Sequence, residues 1–264
     1  MKQIILITLK GIFRDRIFQG IMALAVLFLI IPTAASLSMR QVTELSITLS
    51  LSLISFIMLL LAVFLGATSI WKDIERRYTF SVLSLPMSRP AYLVGRFLGV
   101  ALFMLITALF LGAMAMITIK SASFIYPPAR PLLWSAIVAA IVFDALKYII
   151  VVAVTMLLAT VSTSFFLPVF GAISTYLAGT LTQQVYDYIQ TPSAQADVSA
   201  IVRKGSLLFY YLLPNLSGFD LKVHAIYALP INVQGAILTV IYFVVYTGII
   251  LSIGMLLFAR REMK

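Results

Sequence analysis

An all-α integral membrane protein with six transmembrane helices is the fold the sequence predicts, and three observations carry that reading. Hydrophobic residues fill 62% of the 264 positions and charged ones 11%, against about half and about a quarter in a soluble domain. So little polar surface cannot cover a water-facing globule, and lipid is the fitting solvent. The apolar residues also fall in continuous runs near the roughly 20 residues needed to cross a hydrocarbon core. A run without alternation satisfies its backbone hydrogen bonds as a helix.

Six runs qualify: Ile17–Leu37, Ile47–Trp71, Ala91–Ile117, Trp134–Val161, Phe165–Leu181 and Gly235–Ala259, the fifth being the shortest. Ahead of them, residues 1–16 carry Ile5, Leu9 and Ile12 at helical spacing, with Lys10 and Arg14 on another face. That pattern suits a helix on the inner membrane surface or a simple basic anchor, both cytoplasmic. "PTAAS" (Pro32–Ser36) has the small residues of a signal-peptide cleavage site, but sixteen residues precede the apolar run. A charged n-region is usually shorter, so the first span is expected to be retained.

Orientation follows from lysine and arginine. With the N-terminus inside, the inner side holds Lys2, Lys10, Arg14, Arg16, Lys72, Arg76, Arg77, Arg89, Arg96, Arg260, Arg261 and Lys264. The outer side holds Arg40, Lys120, Arg130, Arg203, Lys204 and Lys222 over longer loops. Twelve against six places both termini in the cytoplasm, in a plasma membrane such as a bacterial inner membrane. The net charge of +10 is then read as cytoplasmic flanks meeting anionic lipid, with no nucleic acid as partner.

The outer connections are short except residues 182–234, which hold Tyr186, Tyr188, Phe209, Tyr210, Tyr211, Phe219 and Tyr227. "AIVRKGSLLFYYLLP" (Ala200–Pro214) is amphipathic at its start, apolar after it, and too short to span. A re-entrant or interfacial helix pair is expected there, acting as a cap over the outer mouth or as a brace between the fifth and sixth spans. No repeat or soluble domain interrupts the chain. One membrane domain, 1–264, is expected.

Little catalytic chemistry is expected. There is no cysteine and one histidine, His224, which leaves no thiolate and little for a zinc or haem site. The chain has no G-x-x-x-x-G-K-[ST] loop to cradle a nucleotide. Gly95 and Gly99 form a G-x-x-x-G at the start of the third span, expected to mark close helix packing. Asp144 and Lys147 stand three apart on one face of the fourth span. At about 2.5–3.5 kcal/mol per charge at a helix centre, neither should face lipid. They are read as an internal ion pair that fixes packing, or as part of a substrate path or gate.

The stretch "KDIERRYTFSVLSLPMSRPAYLVGR" (Lys72–Arg96) lies between the second and third spans. Ile74, Tyr78, Val82 and Leu85 run along one helical side, and Pro86 and Pro90 stop the helix. Such a helix can be a lever that passes force from a soluble partner, or one that floats at the interface. The stretch resembles the signature loop of permeases of the type-two ATP-binding-cassette (ABC) transporter family. Glu75, Arg76, Arg77, Thr79, Leu83, Pro86, Ser88, Arg89 and Arg96 match the family's pattern in order, while Tyr78 stands where the family often has glycine. "FRDRIF" (Phe13–Phe18), "LPNLSGFDLK" (Leu213–Lys222) and "FARREMK" (Phe258–Lys264) extend the resemblance along the whole chain.

What the resemblance implies is specific. Residues 72–90 would hold a coupling helix that docks on a separate ATPase subunit, through Glu75, Arg76, Arg77, Thr79, Leu83, Pro86, Ser88 and Arg89. This chain would be the permease of an exporter, working with a second permease chain, identical or not. It would not be catalytic and would bind no cofactor itself, ATP and magnesium being used by the partner. The outer segment resembles a branch that includes permeases linked to copper-enzyme maturation, although a chain without cysteine and with one histidine is poorly equipped to carry copper. Two other readings stay open: a secondary transporter or channel built on Asp144 and Lys147, and a non-transporting membrane scaffold.

Overall fold

A computed structural model describes residues 2–25, 27, 30–37, 41–75, 88–128, 130–191 and 199–261. Among the described residues every regular element is a helix. The four longest are α4 (Val42–Glu75), α5 (Arg89–Ile125), α6 (Trp134–Val161) and α10 (Val233–Arg260), following α1 (Lys2–Phe13), α2 (Arg16–Leu24) and α3 (Ile31–Ser36). Between α6 and α10 lie α7 (Phe166–Ile189), α8 (Ala200–Leu212), a 3-10 turn (Ser217–Phe219) and α9 (Lys222–Tyr227).

Helices α4, α5, α6 and α10 are long and apolar enough to cross a membrane. The residues expected as the first span stand as α2 and α3, of 9 and 6 residues. At 1.5 Å per residue these are about 14 and 9 Å long, each short of a hydrocarbon core of about 30 Å. Helix α7 outruns the fifth expected span by eight residues at its C-terminal end, so the connection expected from Thr182 begins after Ile189. Those added turns are polar, and Gln183 and Tyr186 in them find partners described below.

Helix ends follow local chemistry. Pro90 sits in the first turn of α5, where a missing N–H costs nothing, and Pro127 and Pro128 follow its end. Ser199 and Asn232 cap α8 and α10 by accepting backbone N–H bonds. Ala228 closes α9 in the left-handed region at φ 53°.

Helix α6 lies at the centre, against α4, α5, α7 and α10. Gly66 of α4 lets the helices approach: a Cβ there would stand 2.8 Å from the Cβ of Thr155. Helix α1 lies along α5 rather than apart from the bundle. Its buried stripe is Ile4, Thr8 and Ile12, which corrects the face expected from Ile5 and Leu9 by about one residue. The reason is the G-x-x-x-G: Cβ atoms at Gly95 and Gly99 would meet Ile4 Cδ1 at 3.0 Å and Thr8 Cβ at 2.7 Å. The expected close packing is there, and its partner is the N-terminal helix.

The connection between α7 and α10 is tied down. Leu216 and Phe219 are buried, and the Leu216 N–H donates to the Gly179 carbonyl of α7 at 3.0 Å. Gln183 Oε1 accepts from Asn215 Nδ2 (2.7 Å) and from the Tyr210 hydroxyl (3.2 Å). The Asn215 N–H donates to the Tyr242 hydroxyl at 2.9 Å, and the Tyr246 hydroxyl donates to the Leu212 carbonyl. Tyr186 stacks on Tyr210 with centroids 4.3 Å apart. The segment thus links α7 to α10, as a brace would.

Candidate functional site

Among the described residues two clusters of charge lie inside the bundle. The first is the pair expected from sequence. Asp144 and Lys147 are 5% and 3% exposed, and the ammonium lies 2.5 Å from Asp144 Oδ1. That contact misses hydrogen-bond angles, so it is ionic more than directional. The directed bond comes from α4: the Ser55 hydroxyl stands 2.7 Å from Asp144 Oδ2 and 3.0 Å from the Leu51 carbonyl. With one proton to give, the hydroxyl favours the shorter, charged acceptor. Lys147 Nζ also lies 4.7 Å from the ring centroid of Tyr148, which stacks on Tyr176 of α7. Charge, hydroxyl and rings together join α4, α6 and α7.

The second cluster was not legible as a site. Asp73, in the last turns of α4, accepts from both Arg96 and Tyr92 of α5 through Oδ2. Arg96 Nε reaches the Tyr92 hydroxyl at 3.1 Å, and Nη1 reaches the Thr8 hydroxyl of α1 at 3.3 Å. Its guanidinium carbon lies 5.6 Å from the Tyr92 ring centroid. Two helices therefore meet on one carboxylate, and Arg96 carries the contact on to α1. A cavity of about 160 Å³ opens beside it, with Asp15, Thr68 and Ser69 among its walls. The signal was present in part: Arg96 matched the loop pattern, but Asp73 and Tyr92 had no motif to mark them.

The same end of the bundle carries two arginine caps. Arg89 Nη1 donates to the carbonyls of Arg261 (2.9 Å) and Ala259 (3.3 Å), at the C-terminal end of α10. Arg261 donates to the carbonyls of Ala159, Thr160 and Ser162, at the end of α6. Both satisfy carbonyls that a helix terminus leaves without partners, and both place positive charge at the negative end of the helix dipole.

Of the residues expected to meet an ATPase, Arg76, Arg77, Thr79, Leu83 and Pro86 lie outside the described residues. Ile74 and Glu75 belong to the last turn of α4 rather than to a separate helix. Ser88 is the residue before α5. Arg89 is turned to α10, so its visible work is structural.

Among the described residues no group of three or more His, Asp or Glu side chains could hold a metal ion. Among the described residues the fold and site define the class: all-α, with four helices able to cross a membrane, one buried ion pair and a second that is partly exposed. Compared with known protein families and with curated proteins, the chain matches no family model and no curated protein.

Proposed function

We propose that the chain is the membrane-spanning permease of an ATP-driven transporter, an exporter, whose ATP hydrolysis is done by a separate subunit. The observation that supports this reading is the Asp73 clamp. It ties the end of α4 to the start of α5, the two roots of residues 76–87, and adds α1 through Thr8. A push on that segment would be passed to three helices at once, as coupling to a soluble motor requires. In this reading α2–α3 and α7 complete six spans with α4, α5, α6 and α10. Both termini and residues 72–90 face the cytoplasm, which agrees with the bias of basic residues, and α8 lies at the outer interface. A second permease chain completes the path. The buried pair Asp144–Lys147 serves packing, since its partners are a neutral hydroxyl and aromatic rings.

The test is affinity purification of the full chain from its native membrane, with co-purifying proteins searched for a P-loop ATPase. A stable complex is expected, in which Glu75→Ala with Arg77→Ala weakens the charged docking surface by about 2–5 kcal/mol while membrane insertion is unchanged. Failure of any ATPase to co-purify with the intact chain overturns the reading.

A further inference from the structure

We propose that the aromatic cavity between the outer connection and α10 is a binding site for an anionic amphiphile, with its hydrocarbon tail in the cavity and its head on Arg203 and Lys204. The cavity holds about 340 Å³, within the range of small-molecule sites, and Tyr210, Tyr211, Phe219, Leu238, Tyr242 and Tyr246 line it. Among the described residues no charged side chain is in its wall. Most of the polar atoms that are there have work inside the protein. Tyr210 and Tyr246 donate to Gln183 and to the Leu212 carbonyl, Tyr242 accepts from Asn215, and Thr239 donates to Gly235. An occupant meets mainly carbon and ring faces, which suits a hydrocarbon chain better than a sugar or a small ion.

Depth and charge narrow the class. From Leu238 to Tyr246 the cavity follows α10 for eight residues, about 12 Å, most of one leaflet of a hydrocarbon core about 30 Å thick. Arg203 and Lys204 lie seven residues before Tyr210 and Tyr211 on α8, and so on the same faces of that helix, about 10 Å away. Both are exposed. A basic rim above an apolar slot of leaflet depth complements an anionic head joined to a tail. The source of that chemistry is a phospholipid or a free fatty acid. The inference stands whether or not the chain works with an ATPase.

The experiment uses the purified full chain in micelles holding equal phosphatidylglycerol and phosphatidylcholine, with retained lipid read by mass spectrometry and oleate added as competitor in a second arm. Phosphatidylglycerol is expected in excess over phosphatidylcholine by roughly 10- to 30-fold, the scale of two basic residues near an anionic head. Displacement by oleate assigns a single-chain ligand, and resistance to it assigns a phospholipid. Gly218 also lines the cavity, and a Cβ there meets nothing within 4 Å, so Gly218→Leu can fill the slot without a backbone clash. It should lower retention about tenfold with lipid-free melting unchanged, and Leu238→Trp, filling from the other wall, should do the same. Arg203→Gln with Lys204→Gln should remove the headgroup preference. Equal retention of the two lipids by the unaltered chain, or unchanged retention in both filled variants, overturns the proposal.

Discussion

The two aspartate–cation pairs differ in what they hold. Asp144 and Lys147 belong to one helix, one turn apart, and are closed to solvent. Their ion pair alone joins nothing; Ser55 and the Tyr148–Tyr176 stack carry it to α4 and α7. Asp73 and Arg96 belong to two helices, on either side of residues 76–87, and keep 11% and 19% of their side chains exposed. That pair is itself the joint. A buried pair on one helix makes a charge tolerable, whereas a pair between helices fixes where they meet.

Breaking each pair should separate these roles. Lys147→Met leaves the Asp144 carboxylate buried with one hydroxyl, and should cost about 3–5 kcal/mol. A fall in melting temperature of the purified chain reads it. Asp144→Leu with Lys147→Leu should recover most of that loss, because the charge and its desolvation leave together. A double variant as unstable as the single one would show that the pair contributes more than neutralisation.

Arg96→Met should cost less, about 1–3 kcal/mol, since Asp73 keeps Tyr92 and some access to water. Its signature is local: amides of Lys2–Phe13 should exchange hydrogen faster, because Thr8 loses its guanidinium. Lys147→Met should leave the exchange order of α1 unchanged relative to the rest of the bundle. If both variants loosen α1 alike, the clamp has no special hold on it. The smallest effect is expected from Tyr92→Phe, about 0.5–1.5 kcal/mol, because Arg96 still holds Asp73. A loss as large as that of Arg96→Met would move the joint from the ion pair to the phenol.

Much of the fold was legible because lipid-soluble helices announce themselves by length and composition. α4, α5, α6 and α10 fall where the runs predicted them. The broken α2–α3 region did not, since its composition is as apolar as a span and only its helix ends reveal the division. Asp144 and Lys147 could be read because a pair three residues apart shares a face in any helix. Gly95 and Gly99 announced a contact, but nothing in their spacing named α1 as its other side.

The sequence by itself determined that this is a helical chain of membrane-compatible spans, and that its mid-span charges neutralise one another. Both are local properties, set by hydropathy along a run and by helical pitch. Only the tertiary structure decided which spans are hidden. Helices α6 and α10 have nearly the same mean hydropathy, yet 72% of the most apolar stretch of α6 is buried and 6% of that of α10. Hydropathy measures escape from water, and lipid and protein interior satisfy it alike. Tertiary structure also brought Asp73, Arg96 and Thr8 together, because partners separated by 23 and 88 residues are chosen by the path of the chain and not by its pattern.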